Sequence, residues 1–114
     1  VNPAVITCLA NDVGYDCIFS EQLAVLAEAG DLLVVLSGSG NSPNIIRVLE
    51  QAKSMGVKSC AILGYTGGKC KFLAGSSIHF PVDDMQIAED MQLVVWHMLM
   101  QWLDQNQPGM RGQP

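Results

Sequence analysis

The stretch LLVVLSGSGNSPNII constrains this chain more than any other. Leu32 to Leu36 are apolar and partly β-branched, the pattern of a strand buried on both faces. Ser37, Gly38, Ser39, Gly40, Asn41 and Ser42 follow, residues with very little side chain. Ser42 before Pro43 then reads as an N-cap with proline at the first helical position, and Ile45, Ile46, Leu49, Ala52 and Met55 mark one helical face up to Gly56. In parallel α/β sheets such a loop lies at the carboxyl edge of the strands, where ligands bind. The helix start offers unpaired N–H groups and a partial positive charge, which favour an anion. Gly38 and Gly40 allow close backbone approach, and the hydroxyls of Ser37, Ser39 and Ser42 can each donate to a phosphate oxygen. The Gly-Lys-Ser/Thr of a triphosphate loop is missing, and Pro43 stands where a dinucleotide fingerprint requires glycine. The reading is therefore a monophosphate site with no nucleotide cofactor, against the alternative of a flexible turn without a ligand.

The rest of the chain repeats the alternation. Residues 4–9, AVITCL, read as another buried strand, and SEQLAVLAEAG has helical spacing at Leu23, Leu26 and Ala27, with Ser20 as N-cap and Gly30 as a stop. CAILGY predicts a third strand and IHFPV a fourth, separated by a Gly67-Gly68 turn and a short helix around 69–74. The longest helix is predicted over 86–104. Strand–helix alternation specifies an α/β, doubly wound parallel sheet with right-handed crossovers and helices on both faces. The chain opens at Val1, without Met, and directly in what reads as an interior strand, so the expected sheet lacks its N-terminal strand and helix. NQPGMRGQP, residues 106–114, reads as a flexible tail.

With 114 residues, 49% of them hydrophobic, the chain suffices for one domain. A net charge of -5, with only six Lys and Arg scattered along it, argues against nucleic acid as a partner. No apolar run approaches the ~20 residues of a membrane span, and no leader opens the chain, so the expectation is a cytoplasmic protein with no membrane partner. Cys8, Cys17, Cys60 and Cys70 lack metal-type spacing and adjoin apolar segments, which predicts buried, reduced thiols. In AEDMQLVVWHMLMQWL, apolar residues from Val94 to Trp102 surround the helix nearly completely, so a second copy is expected to pack there. Glu89 and His97 interrupt this surface. Eight positions apart, they lie about 80° apart around the helix and about 12 Å apart along it, able to line one groove without touching. By itself, a histidine there also reads as a core residue satisfied by one hydrogen bond.

LLVVLSGSGNSPNIIRVLEQAKSMGVK resembles the phosphate loop and following helix of the SIS (sugar isomerase) domain. ANDVGYDCIFSEQL resembles the upstream segment of its phosphoheptose isomerase branch, and the likeness extends from about Cys8 to Leu103. The resemblance implies an SIS, flavodoxin-like three-layer sandwich over residues 1–105 and a phosphorylated sugar as ligand. It places Ser37, Gly38, Ser39 and Ser42 around the phosphate and Asn11 and Asp12 at the sugar, although Asn11-Asp12 also reads as a loop pair bonding its own backbone. Gly38 stands where the family commonly has threonine, which removes one hydroxyl donor. Glu89 and His97 are implied as active-site residues and as ligands of a zinc ion. Their usual companions, a His and a Glu on an N-terminal helix, have no match here. Gln86 and Gln92 replace an acid and a histidine, and Asp83 or Asp84 is the alternative carboxylate. The implied activity is isomerisation of sedoheptulose 7-phosphate to D-glycero-D-manno-heptose 7-phosphate, or a close aldose-ketose interconversion through an enediol. His97 would be the acid–base group, and Glu89 would polarise the substrate or hold the metal. Dimers or tetramers are implied as well. The alternative is a noncatalytic SIS protein that keeps the pocket as a sensor or as an assembly surface, as in relatives that bind the bacterial replication initiator.

Overall fold

The computed structural model describes residues 1–107. Three strands, β1 (Leu32–Ser37), β2 (Lys58–Leu63) and β3 (Ser76–His79), form a parallel sheet in the order β1-β2-β3. The register sets Leu33, Val35 and Ser37 beside Ser59, Ala61 and Leu63. Because strand side chains alternate, these residues share one face, while Val34 and Leu36 with Cys60 and Ile62 share the other. Helix α3 (Pro43–Ser54) covers the first face, where Val48 and Leu49 pack with Val35, Ala61, Leu63 and Cys70. Leu23 of α2 (Ser20–Leu26) and Leu73 of α4 (Cys70–Leu73) extend this layer. Helix α5 (Met85–Gln105) lies on the opposite face: Gln92 Nε2 donates to the Ile62 carbonyl at 3.2 Å, and Ala88 abuts Gly64. Parallel strands with helices on both faces are the α/β architecture that the alternation predicts.

The direction of α5 matters for the site. Its first residue, Met85, lies against Gly38 just past the carboxyl end of β1, whereas Gln92 bonds Ile62, the next-to-last residue of β2, and Trp96 shares a groove with Val34 and Leu36. The helix therefore runs back along the sheet, away from the edge where the small-residue loop sits.

The AVITCL segment is not a strand. It belongs to α1 (Pro3–Asp12), because the Asn2 side chain accepts from the N–H groups of Ala4 and Val5 at 2.8 and 3.4 Å and Pro3 occupies the first turn. Thr7 turns its hydroxyl back onto the Pro3 and Ala4 carbonyls, which satisfies a β-branched residue within a helix. No residue of α1 is buried, so the expectation of an interior strand at the chain start is overturned, and three strands replace the expected four. Smaller departures follow the same local logic. Phe19 rather than Ser20 caps α2, since the Ser20 hydroxyl donates to the Cys17 carbonyl, and the helix ends at Leu26, ahead of Gly30. The IHFPV strand starts earlier, at Ser76, and ends at His79. Cys17 and Cys70 are buried and Cys60 is half-buried, but Cys8 is exposed on α1; all four are free thiols. At Asn106 the N–H and the side chain both bond the Trp102 carbonyl and close α5. The remainder of the expected tail, 108–114, lies outside the described residues. Among the described residues no helix is long and apolar enough to cross a membrane.

Candidate functional site

The loop after β1 prepares its hydroxyls for an acceptor. Ser37 is buried, and its Oγ accepts from the Gly40 N–H at 3.0 Å; the Ser39 Oγ accepts from the Asn41 N–H at 3.2 Å. A hydroxyl that accepts in this way still has its own proton to donate. Ser42 closes the helix start through its carbonyl, which accepts from Ile45 and Ile46 at 3.0 Å each, while its hydroxyl makes no capping bond. Pro43 has no N–H, and the Asn44 N–H bonds no described group. Three hydroxyl donors and a free backbone donor thus gather at the positive end of the 12-residue α3.

A second loop, after β2, backs the first. Gly40 has φ +68, and a Cβ there would overlap the Gly67 carbonyl, so only glycine permits both the turn and the contact. Cys70 N–H donates to the Gly40 carbonyl at 3.0 Å, and Gly64 N–H donates to the Gly38 carbonyl at 2.9 Å. Asn41 completes the tie: its Oδ1 accepts from the Lys69 N–H at 3.0 Å and its Nδ2 donates to the Ser39 carbonyl at 3.4 Å. Nothing local to Asn41 announces this role, because its partner is 28 residues away. The available signal was that two neighbouring parallel strands end in glycine-rich loops at one edge. Gly38, where the resemblance implies threonine, is covered by a flexible side chain: a Cβ would overlap the Met85 Sδ, so a threonine there requires Met85 to swing aside. The same contact brings the start of α5 to the loop. Cys70 lies completely buried behind it, and burial holds its thiol above the usual thiol range.

The other expected residues are more dispersed. Asn11 and Asp12 sit in the last turn of α1, both exposed, with Asn11 Nδ2 donating to Asp12 Oδ1 at 2.7 Å. Neither is hydrogen-bonded to residues 37–42 among the described contacts. Glu89 lines an open groove of about 560 Å³ with Val34, Leu36, Gln92, Leu93 and Trp96, on the α5 face of the sheet. His97 is exposed and bonds no described group, so it is not a core histidine held by a carbonyl. It lies about 18 Å along the helix from Met85. Among the described residues no three His, Cys, Asp or Glu side chains cluster as metal ligands do. Glu89 and His97 would supply two of the three or four protein ligands that a zinc ion takes.

Comparison with known proteins follows the same lines. The sequence profile of the SIS domain matches residues 2–64. The phosphoheptose isomerase of Akkermansia muciniphila is 38% identical over 104 residues, covering 91% of this chain and 55% of its own. The structure of a phosphoheptose isomerase from Francisella tularensis superposes with a TM-score of 0.86 at 29% identity, over 90% of this chain and 56% of that one. That of the phosphoheptose isomerase from Neisseria gonorrhoeae gives 0.82 at 29% identity, over 86% and 56%. The chain thus spans a little over half the length of the relatives it matches. A family profile that matches more than half of the chain, over a strand, a serine-rich loop and a capped helix, leads to one conclusion: the chain belongs to the SIS domain family.

Proposed function

We propose that the protein binds a phosphorylated sugar at residues 37–42 and works as a phosphoheptose isomerase, interconverting sedoheptulose 7-phosphate and D-glycero-D-manno-heptose 7-phosphate or a close aldose–ketose pair. The observation that carries the reading is the hydroxyl arrangement: Ser37 and Ser39 accept from the loop's own N–H groups and keep their protons for an anion at the start of α3. Ser42, and the backbone at Gly38, complete the phosphate ligands; Asn11 and Asp12 are assigned to the sugar. Fixing the phosphate sets the distance to the reacting carbons. A general base then removes the proton beside the carbonyl, and an acid returns it at the neighbouring carbon.

His97 is assigned that acid–base role and Glu89 the polarisation of the substrate. Since α5 carries His97 away from its own loop, the imidazole would serve a sugar held by another copy in a dimer or tetramer. The exposed apolar side chains around it on α5 support such an assembly. No step is assigned to a metal.

The test is to incubate the protein with sedoheptulose 7-phosphate and follow formation of the aldose by NMR. Turnover is expected, and His97→Gln should abolish it while leaving the fold and sugar-phosphate binding intact. A noncatalytic binding module is the second reading, favoured by one observation: no carboxylate or imidazole is hydrogen-bonded to residues 37–42 among the described contacts. Binding of the sugar phosphate without turnover would select it, whereas turnover surviving His97→Gln would remove His97 from the acid–base role.

A further inference from the structure

Tyr65, directly after Gly64 at the end of β2, has φ +46 and is the one non-glycine among the described residues in the left-handed region. A bulky aromatic residue holds that conformation only where its surroundings impose it. Here both of its peptide groups are tied: the Tyr65 N–H donates to the Val82 carbonyl at 3.1 Å, and its carbonyl is 2.8 Å from His79 Nε2. A carbonyl can only accept, so Nε2 carries the proton. The neutral ring then leaves Nδ1 as an acceptor, which the Lys71 ammonium meets at 3.3 Å. His79 is the last residue of β3 and is half-buried, and it is not among the residues of the hydrophobic core. Its two ring nitrogens are both spent on directed contacts.

The far side of the same turn is the backing of the phosphate loop, through Lys69 N–H on Asn41 and Cys70 N–H on the Gly40 carbonyl. We propose that His79 is a positioning residue for the phosphate loop: by holding the Tyr65 carbonyl it locks the 64–69 turn against Gly40 and Asn41, and through them sets affinity for the phosphate group. The proposal builds on the phosphate-site reading, but the brace itself can be measured without a ligand.

The experiment compares His79→Leu, which removes the donor, with His79→Gln, whose side-chain amide can place an N–H near the position of Nε2. Two readouts are taken on the whole chain: NMR hydrogen exchange at the Lys69 and Cys70 amides, and calorimetric binding of inorganic phosphate and sedoheptulose 7-phosphate. With His79→Leu, exchange at both amides should speed up by about tenfold while that of Leu49 in the core is unchanged, which separates release of the turn from global unfolding. Sugar-phosphate affinity should fall by about tenfold in the same variant, and His79→Gln should remain within about threefold of the parent in both readouts. Adding Tyr65→Gly, which makes the left-handed turn cheap, should blunt the effect of His79→Leu on exchange. Unchanged exchange at Lys69 and Cys70, equal losses in the Leu and Gln variants, or faster exchange without weaker binding would each overturn the proposal. If the parent binds neither phosphate nor sugar phosphate, the phosphate-site reading and the affinity role of His79 both fall; the exchange data then report only whether the brace exists.

Discussion

Ser37, Ser39 and Ser42 carry the same hydroxyl, yet the structure uses them differently. Ser37 is buried and partners the Gly40 N–H, so Ser37→Ala should both weaken sugar-phosphate binding and destabilise the fold by about 1–3 kcal/mol through the orphaned donor. Ser39 and Ser42 are more accessible, and Ser42 makes no capping bond. Ser39→Ala and Ser42→Ala should each lower sugar-phosphate affinity by about tenfold, roughly 1.4 kcal/mol, with the melting temperature nearly unchanged. Calorimetry combined with thermal unfolding distinguishes the two patterns, and tight binding by Ser39→Ala and Ser42→Ala would remove the phosphate assignment. Gly38 supplies a coupled test. Gly38→Thr alone must displace Met85, whereas the same change with Met85→Ala has room, so the double variant should recover much of the stability lost in the single one. At Cys70 the raised thiol pKa gives a pH dependence whose sign is fixed. The folded chain holds that proton more tightly than the unfolded chain does, so this contribution is intact below the ordinary thiol pKa and is lost as pH climbs toward the folded value. Chemical denaturation in the alkaline range should show the decline, and Cys70→Ala should flatten it.

Between elements, stability is unevenly spread. Helix α3 places Val48 and Leu49, 2% and 1% exposed, against β1 and β2, and Leu49→Ala should cost about 2–5 kcal/mol in denaturant titrations. Helix α1 buries nothing and owes its start to Asn2 and Pro3. Asn2→Ala should weaken it by about 1 kcal/mol, visible as faster amide exchange in α1 with little change in global unfolding.

For the whole molecule, the question is what covers its apolar surface. Leu93, Trp96, Met98 and Trp102 on α5 are each 45% or more exposed, and an apolar groove beside the unpaired edge of β1 includes Phe19, Leu23, Val34 and Ile45. Surfaces of this kind drive association. Sedimentation should find a dimer or tetramer, and Met98→Glu with Trp102→Glu should shift it toward monomer; a parent that stays monomeric at high concentration would count against the assembly invoked for His97.

The β1–loop–α3 unit was legible because each of its signals is local: an apolar run fixes the strand, small residues fix the loop, and Ser42-Pro43 fixes the helix start. The helical spacing of α5 was legible for the same reason. At residues 4–9 a local signal misled, since β-branched apolar residues suggested a strand while the stronger cue, Asn2 before Pro3, specified a capped helix. What only the tertiary structure decided depends on partners distant in sequence. Asn41 meets Lys69 across 28 residues, His79 meets the Tyr65 carbonyl across 14, and Met85 fills the space beside Gly38. The direction of α5, and with it the separation of His97 from its own loop, follows from how that helix packs on Ile62 and Gly64. Periodicity states which face of a helix is apolar, but not which way the helix lies on a sheet.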